Sequence, residues 1–241
     1  MSEESANSGL IYELDGRVAT ITLDAPQRGN ALSIPMMHAF RAALRAAQQE
    51  PDVALIVLRA SGKHFCTGAD LKWAGALAEG NEAQWREGNE ALVAVLLEFY
   101  GLSKPVVARV HGTVLGGAVA VLCLCDDVIA VGEVNWRLPE LKLGIVPSAI
   151  VPALRQVANR SVLRRLLYDE RPWNSMDARG FGIVTEVASQ ETLDLLVQAR
   201  IDAWLALPSA SFAATKSWMR ELDADDFRKA LERGRAHAAS L

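Results

Sequence analysis

The sequence predicts an α/β fold that ends in a helical C-terminal region. Two short runs are typical of buried strands of a sheet, namely VALIVLRA at 53–60, which has few polar positions, and KPVVARV at 104–110, and DDVIAV at 126–131 is predicted to be a further strand. Segments with helical spacing separate these runs, and such alternation favours a largely parallel sheet. We place the α/β core at residues 1–190 and the helical region at 191–241.

The N-terminal part of the chain predicts a hairpin followed by a helix. IYEL and RVATITL flank Asp15 and Gly16, a dipeptide typical of the tight turn between antiparallel strands. Ser33 is a candidate N-cap, because its side-chain oxygen can accept a hydrogen bond from a free N–H of the first turn, where Pro35 is tolerated. Helical spacing then continues until Pro51.

The remaining elements are predicted by the same two periodicities. A long helix is expected at about residues 81–102, and the segment HGTVLGGAVAVLCLCD at 111–126 is expected to turn into a helix after its glycines. The chain changes character after about residue 186. From there we expect three successive amphipathic helices: ETLDLLVQARIDAWLAL at 191–207, SASFAATKSWMREL at 209–222 and ADDFRKALERGRAHAAS at 224–240.

Composition excludes several classes of function. A chain of 241 residues that is 51% hydrophobic and 22% charged can bury a sizeable core. The net charge of −4 and the absence of a dense Lys/Arg run argue against nucleic acid as a partner. The acidic, polar start is unlike a secretory signal, and the longest apolar run is too short to span a membrane. We therefore expect a cytoplasmic protein with no membrane partner.

The cysteines and histidines give no metal or disulfide pattern. Cys66, Cys123 and Cys125 form no CxxC pair and are odd in number, which favours reduced thiols that pack in the core. The four histidines show no metal-binding spacing. We expect no metal site.

Two glycine-containing segments follow predicted strands, CTGAD at 66–70 and GTVLGGA at 112–118. Glycine lets a backbone N–H approach a ligand closely, and the start of a helix adds partial positive charge. Two such N–H groups from different strands could form an oxyanion hole, which stabilises negative charge developing on a thioester carbonyl. The alternative is that the glycines only permit tight turns. Neither segment has the pattern of a dinucleotide or phosphate loop.

Glu140 is the candidate acid or base for such chemistry. It stands in RLPELKLGIVP, among leucines, prolines and an isoleucine, and an apolar setting raises the pKa of a carboxyl group toward the range that proton transfer requires. The alternative is a carboxylate that is solvated or paired with Arg137 or Lys142.

Three segments together resemble the signatures of the crotonase superfamily, the enoyl-CoA hydratase/isomerase family. These are HFCTGADLKW at 64–73, HGTVLGGAVAVLCLCD at 111–126 and LPELKLGIVP at 138–147, with further similarity in NALS at 30–33 and GIVTEV at 182–187. The resemblance implies a spiral of ββα repeats and a C-terminal helical region that drives assembly into a homotrimer or a hexamer of paired trimers. It also implies an acyl thioester of CoA or of an acyl carrier protein as substrate, with no metal or redox cofactor.

The resemblance assigns roles to individual residues. The backbone N–H groups of Ala69 and Gly117 would form the oxyanion hole, and Glu140 would be the catalytic carboxylate. The residues expected to line the thioester and its pantetheine are Ala31, Asp70, Leu71, Lys72, Gly116 and Ala120. Trp136 and Arg137 are expected to shape the acyl pocket, and Lys216 resembles a position that contacts the CoA nucleotide; simple packing or solvation is the alternative for these three.

One departure from the family pattern leaves the reaction open. Hydratases of the family with two catalytic glutamates carry the first where this chain has Ala120, so only Glu140 is present. One carboxylate suffices for the 1,3-proton shift of a Δ3,Δ2-enoyl-CoA isomerase. The finer similarity, however, is to 3-methylglutaconyl-CoA hydratases and to dehydratases of polyketide β-branching, which favours hydration or dehydration of a branched enoyl thioester. A decarboxylase and a non-catalytic acyl-thioester-binding protein are further alternatives.

Overall fold

A six-stranded sheet, in the order β1-β2-β3-β4-β6-β8, forms the centre of the molecule. The computed structural model describes residues 8–76, 79–169 and 171–238, with only the backbone described at 223–226 and 237–238. The strands of this sheet are β1 (Leu10–Asp15), β2 (Val18–Leu23), β3 (Leu55–Ala60), β4 (Val106–Val110), β6 (Asp127–Val131) and β8 (Glu186–Ala188). Only β1 and β2 pair antiparallel, as the hairpin prediction requires, and every later pairing is parallel.

The strands β3 and β4 are buried as predicted, and β6 is buried as well. Most side chains of β3, β4 and β6 are shielded from solvent on both faces of the sheet. This explains why their sequences lack the alternation of a half-exposed strand. A second sheet of two parallel strands, β5 (Thr113–Leu115) and β7 (Asn135–Arg137), lies outside the main one and was not predicted. It positions the candidate site described below.

The first helices follow the predicted signals. The helix α1 (Ile34–Gln49) is capped by Ser33, whose side chain accepts a hydrogen bond from the N–H of Met36 at 3.3 Å. A short α2 (Leu71–Ala74) precedes α3 (Glu82–Gly101), which begins after the N-cap Asn81. Then α4 (Gly117–Leu122) starts directly at the second glycine segment.

The C-terminal half contains five further helices among the described residues: α5 (Ile150–Val157), α6 (Arg160–Tyr168), α7 (Ser175–Gly180), α8 (Leu193–Leu205) and α9 (Ser209–Ala238). The expected second and third tail helices are wrong as separate elements, since α9 runs through both. The boundary between them holds neither glycine nor proline, so nothing stops the helix there. In contrast, α8 packs against β3, β4 and β6 of the core sheet.

Candidate active site

Backbone pairing brings three sequence segments to one place. Cys66 bridges to β5, with its N–H donating to the carbonyl of Thr113 and its carbonyl accepting from Leu115, both at 3.0 Å. On the other side β5 pairs with β7, and the N–H of Gly116 donates to the carbonyl of Arg137 at 3.0 Å. The two glycine segments and the segment that carries Glu140 therefore leave neighbouring strands side by side.

Glycine is required at the turn in both glycine segments. Gly68 has φ +82° and Gly116 has φ +53°, values that side-chain-bearing residues rarely adopt. A Cβ atom on Gly68 would also lie 2.9 Å from the carbonyl oxygen of Leu115. Each of these glycines is followed by one of the two N–H groups predicted to face a ligand, those of Ala69 and Gly117.

These two N–H groups are available to a ligand. Within the described part of the chain, neither the N–H of Ala69 nor that of Gly117 donates a hydrogen bond. Gly117 is the first residue of α4, where an N–H has no partner inside the helix. An unpaired N–H in a largely buried setting costs free energy unless a ligand or water accepts from it.

Glu140 lies beside the same turn. Burial raises the pKa of its carboxyl group to about 7, and a hydrogen bond from its own backbone N–H only partly offsets this. Its Oε2 atom is enclosed and accepts no hydrogen bond from any described residue. Among the described ion pairs none joins Glu140 to Arg137, so the alternative of a carboxylate paired with that residue is not what the structure shows.

A cavity of about 220 Å³ connects these groups. Its wall includes Ala69, Gly116, Gly117 and Glu140, and otherwise consists mostly of apolar side chains from α2, α3 and the loop at 143–150. A Cβ atom on Gly234 of α9 would clash with the backbone of Ser148, so α9 packs closely against this loop.

A second hollow of about 370 Å³ adjoins the cavity, because Thr67, Ala69 and Leu71 line both. It is lined by Ala31, Asp70, Leu71 and Lys72, four residues predicted to lie along the pantetheine. Arg28, which was not predicted, lines the same hollow and adds a second positive charge there.

Four predicted site residues are not placed with the others, namely Ala120, Trp136, Arg137 and Lys216. Ala120 and Trp136 are fully buried and line neither hollow, and the indole N–H of Trp136 donates instead to Ser175 Oγ at 3.2 Å. Arg137 also lines neither hollow, and its Nε is enclosed without a partner among the described residues. Trp136 and Arg137 are adjacent in β7, so their side chains point to opposite faces of the small sheet, and neither lines the cavity.

Lys216 lies elsewhere in the subunit. Its Nζ donates to Asp126 Oδ2 at 2.6 Å and to the carbonyl oxygen of Lys104 at 3.0 Å. It lines a separate groove between α9 and the end of α4, on which neither Glu140 nor the two glycine turns border. Within one subunit, Lys216 anchors α9 to the core.

A polar pair in the cavity wall was also not predicted from the sequence. Trp85 and Asn89 lie on α3 and line the cavity together with Leu92. Their spacing of i, i+4 and i+7 places them on one helical face, which is a detectable signal. It does not reveal that this face meets a cavity rather than the core.

No described helix is long and apolar enough to cross a membrane. Over the same described ranges, no three His, Cys, Asp or Glu side chains cluster as metal ligands would.

Comparison with known proteins identifies the family. The family model described as enoyl-CoA hydratase/isomerase matches residues 13–239. A Rhizobium meliloti (strain 1021) protein named "Probable enoyl-CoA hydratase" is 32% identical over 85% of this chain and 79% of its own length. The mevalonyl-coenzyme A hydratase of Beauveria bassiana (strain ARSEF 2860) is 32% identical over 72% of this chain and 64% of its own length.

A solved structure agrees with the fold. An enoyl-CoA hydratase/isomerase from Xanthobacter autotrophicus Py2 superposes with a TM-score of 0.86 and 28% identity, covering 96% of this chain and 86% of that chain. The crotonase fold predicted from sequence motifs is confirmed. This chain is thus an enzyme of the enoyl-CoA hydratase/isomerase family, with that family's type of activity on CoA thioesters.

Proposed function

We propose that this enzyme hydrates a branched enoyl thioester or catalyses the reverse dehydration. One observation carries the proposal. A single cavity contains a carboxyl group with a pKa raised to about 7, on Glu140, and two backbone N–H groups that have no acceptor among the described residues.

In the proposed mechanism the thioester carbonyl oxygen accepts hydrogen bonds from the N–H groups of Ala69 and Gly117. Both are held by backbone geometry, so they stabilise the enolate without reorganising during the reaction. Water adds its oxygen to the β-carbon while Glu140 takes one of its protons, and the same carboxyl group then delivers that proton to the α-carbon. Dehydration follows these steps in reverse.

Several observations support the proposed acyl group and its carrier. The Beauveria bassiana relative is named for a mevalonyl thioester, and the cavity of about 220 Å³ suits a short acyl group. Arg28 and Lys72, which line the second hollow, would attract the phosphates of CoA or of a carrier-bound phosphopantetheine. The thioester is itself the activated group, so the proposed reaction needs no metal or redox cofactor.

Isomerisation is the second candidate, and a specific observation favours it. Among the described residues that line the cavity, Glu140 is the only carboxylate, and Ala120 supplies no second one. One carboxyl group is enough to move a proton from C2 to C4 of a 3-enoyl thioester. Decarboxylation and thioester binding without catalysis are retained as outcomes of the test.

The test is mass spectrometry of 3-methylglutaconyl, 3-methyl-2-enoyl and 3-enoyl thioesters after incubation in deuterated water. Each is offered on CoA and on a carrier protein, with the wild type and with Glu140→Gln. Gain or loss of one water that the variant abolishes supports the proposal. Deuterium uptake with a moved double bond and no water change would make the enzyme an isomerase, loss of CO₂ would make it a decarboxylase, and binding without turnover would make it a binding protein.

We also propose a homotrimer, or a hexamer of two trimers, in the cytoplasm. Trp218, Met219 and Leu222 of α9 are 62%, 61% and 69% exposed, so a single subunit leaves large apolar side chains in water. The three cysteine thiols are free, which suits a reducing compartment. Light scattering of the wild type and of Trp218→Glu tests the assembly, and a monomeric wild type would refute it.

A further inference from the structure

The wall of the cavity contributed by α3 is not purely apolar. Trp85 and Asn89 stand one helical turn apart on α3, and both line the cavity. They are 6% and 7% exposed, so both residues are largely shielded from bulk solvent. Trp73, which packs against the ring of Trp85, differs because its indole N–H donates to the carbonyl of Leu32 at 2.7 Å.

The polar atoms of this pair have no partner within the described part of the chain. The indole N–H of Trp85 is enclosed and donates no hydrogen bond. No described residue forms a hydrogen bond with the side-chain amide of Asn89, and this amide, unlike the indole N–H of Trp85, is not fully enclosed. An enclosed N–H without a partner, such as that of Trp85, costs about 1–3 kcal/mol, and the unpaired amide of Asn89 offers a donor and an acceptor to a group bound in the cavity.

We propose that Trp85 and Asn89 form a polar subsite that selects thioesters whose acyl chain carries an uncharged oxygen, a hydroxyl group above all. The proposal rests on the proposed function in taking this cavity as the acyl site. It adds a substrate feature that a short branched hydrocarbon chain would lack.

The donors and acceptors match a hydroxyl group. The indole N–H of Trp85 can only donate, whereas the amide of Asn89 can donate through Nδ2 and accept through Oδ1. A hydroxyl oxygen can therefore accept from Trp85 or from Nδ2 of Asn89 while its hydrogen is donated to Oδ1. An alkyl group in the same place would leave all of these atoms unsatisfied.

The charge of the cavity argues against a carboxylate at this subsite. None of the described residues that line the cavity is a lysine, an arginine or a histidine, and Glu140 is already a source of negative charge there. A second carboxylate would be desolvated without a countercharge. The basic residues Arg28 and Lys72 line the second, adjoining hollow instead.

Binding of saturated CoA thioesters tests the subsite without requiring turnover. The matched probes are 5-hydroxy-3-methylpentanoyl-CoA and 3-methylhexanoyl-CoA, which differ by a hydroxyl group in place of a methyl group, with 3-methylglutaryl-CoA as the carboxylate probe. Isothermal titration calorimetry on the wild type should show the hydroxyl probe binding at least about tenfold more tightly than the methyl probe, since one buried hydrogen bond is worth about that factor. The carboxylate probe should bind most weakly.

Variants assign the selectivity to the pair. Asn89→Leu keeps the volume and removes the amide, and it should bring the two neutral probes within about twofold of each other; Trp85→Phe should reduce the selectivity in part. Glu90→Gln changes the exposed neighbour on α3 and should retain it. Without ligand, Asn89→Leu should be at least as resistant to heat as the wild type, because it removes an unsatisfied amide.

Three results would overturn the subsite: equal or tighter binding of the methyl probe, tightest binding of the carboxylate probe, or selectivity that survives in Asn89→Leu. If none of the probes binds, the subsite is refuted as well. Selectivity in binding together with no hydration or isomerisation of any enoyl thioester would instead refute the proposed reaction and leave the subsite standing.

Discussion

The carboxyl group of Glu140 fills the space that a side chain at residue 116 would need. A Cβ atom on Gly116 would lie 2.5 Å from Oε1 of Glu140, well inside van der Waals contact. The absence of a side chain at residue 116 therefore leaves room for the carboxyl group of Glu140. The same glycine directs the backbone so that the N–H of Gly117 is left free at the start of α4.

The first prediction concerns Gly116→Ala. The added methyl group must displace the carboxyl group of Glu140, and misplacing a reacting group by about 1 Å can cost about 100-fold in rate. We expect kcat to fall by at least about that factor, measured by steady-state assay of thioester turnover.

Gly16→Ala is the matched control. Gly16 has φ +54°, nearly the same as Gly116, but an added Cβ there would meet nothing within 4 Å. It should lose stability through backbone strain while kcat is retained. Equal kcat values for the two variants would show that the contact with Glu140 does not matter.

The second prediction is the pH dependence of turnover. Burial raises the pKa of Glu140 to about 7, and the proposed base must be ionised to accept a proton. We expect kcat/KM to fall about tenfold per pH unit below about pH 7, as measured from initial rates between pH 5 and 9. A profile that stays level down to pH 5 would mean that Glu140 is not the base or that its pKa is not raised.

The third prediction links the same group to stability. The pKa of Glu140 is raised from 4.5 to about 7 by folding, so between these values the folded protein binds more protons than the unfolded chain. The penalty for burying the carboxylate is absent below about pH 4.5, grows as pH rises, and is fully present above about pH 7.

Glu140→Gln removes this titration. The difference in the free energy of unfolding, variant minus wild type, should increase by on the order of 3 kcal/mol as pH rises from 5 to 8. Urea denaturation of both proteins at several pH values measures the difference. A difference that is constant with pH would contradict the raised pKa.

Local signals explain what could be predicted from the sequence. The hairpin at Asp15 and Gly16 and the cap at Ser33 depend on a few adjacent residues, and the structure confirms both. The strands β3, β4 and β6 were recognisable because each is a short, mostly apolar run with few polar residues. The meeting of the two glycine segments with Glu140 was also predictable, through their resemblance to family motifs.

Features that depend on pairing between distant residues could not be predicted. The strands β5 and β7 have three residues each, too few to show a period. Trp136 and Arg137 were expected to shape the acyl pocket because they are near Glu140 in sequence, whereas neither residue lines the cavity in the structure. Trp85 and Asn89 share one face of α3 with Leu92, but only the three-dimensional structure shows that this face meets the cavity.

The last prediction concerns Lys216. Its Nζ and Asp126 Oδ2 form a partly buried ion pair that joins α9 to the core, with side chains 12% and 21% exposed. Lys216→Met leaves Asp126 without its counterion, so we expect the free energy of unfolding to fall by about 1–3 kcal/mol. The KM for a CoA thioester should stay within about twofold of the wild-type value, because Lys216 lines neither hollow at the candidate site.

Lys72→Met is the contrasting variant, because Lys72 is exposed and lines the second hollow. It should raise KM for the CoA thioester several-fold and leave the urea midpoint unchanged, and added salt should weaken binding by the wild type more than by this variant. The opposite pair of results, a raised KM with normal stability for Lys216→Met, would restore the nucleotide-binding role that the sequence suggested for that lysine. It would also imply that Lys216 reaches the thioester in an assembly of several subunits, since within one subunit its charge is taken up by Asp126.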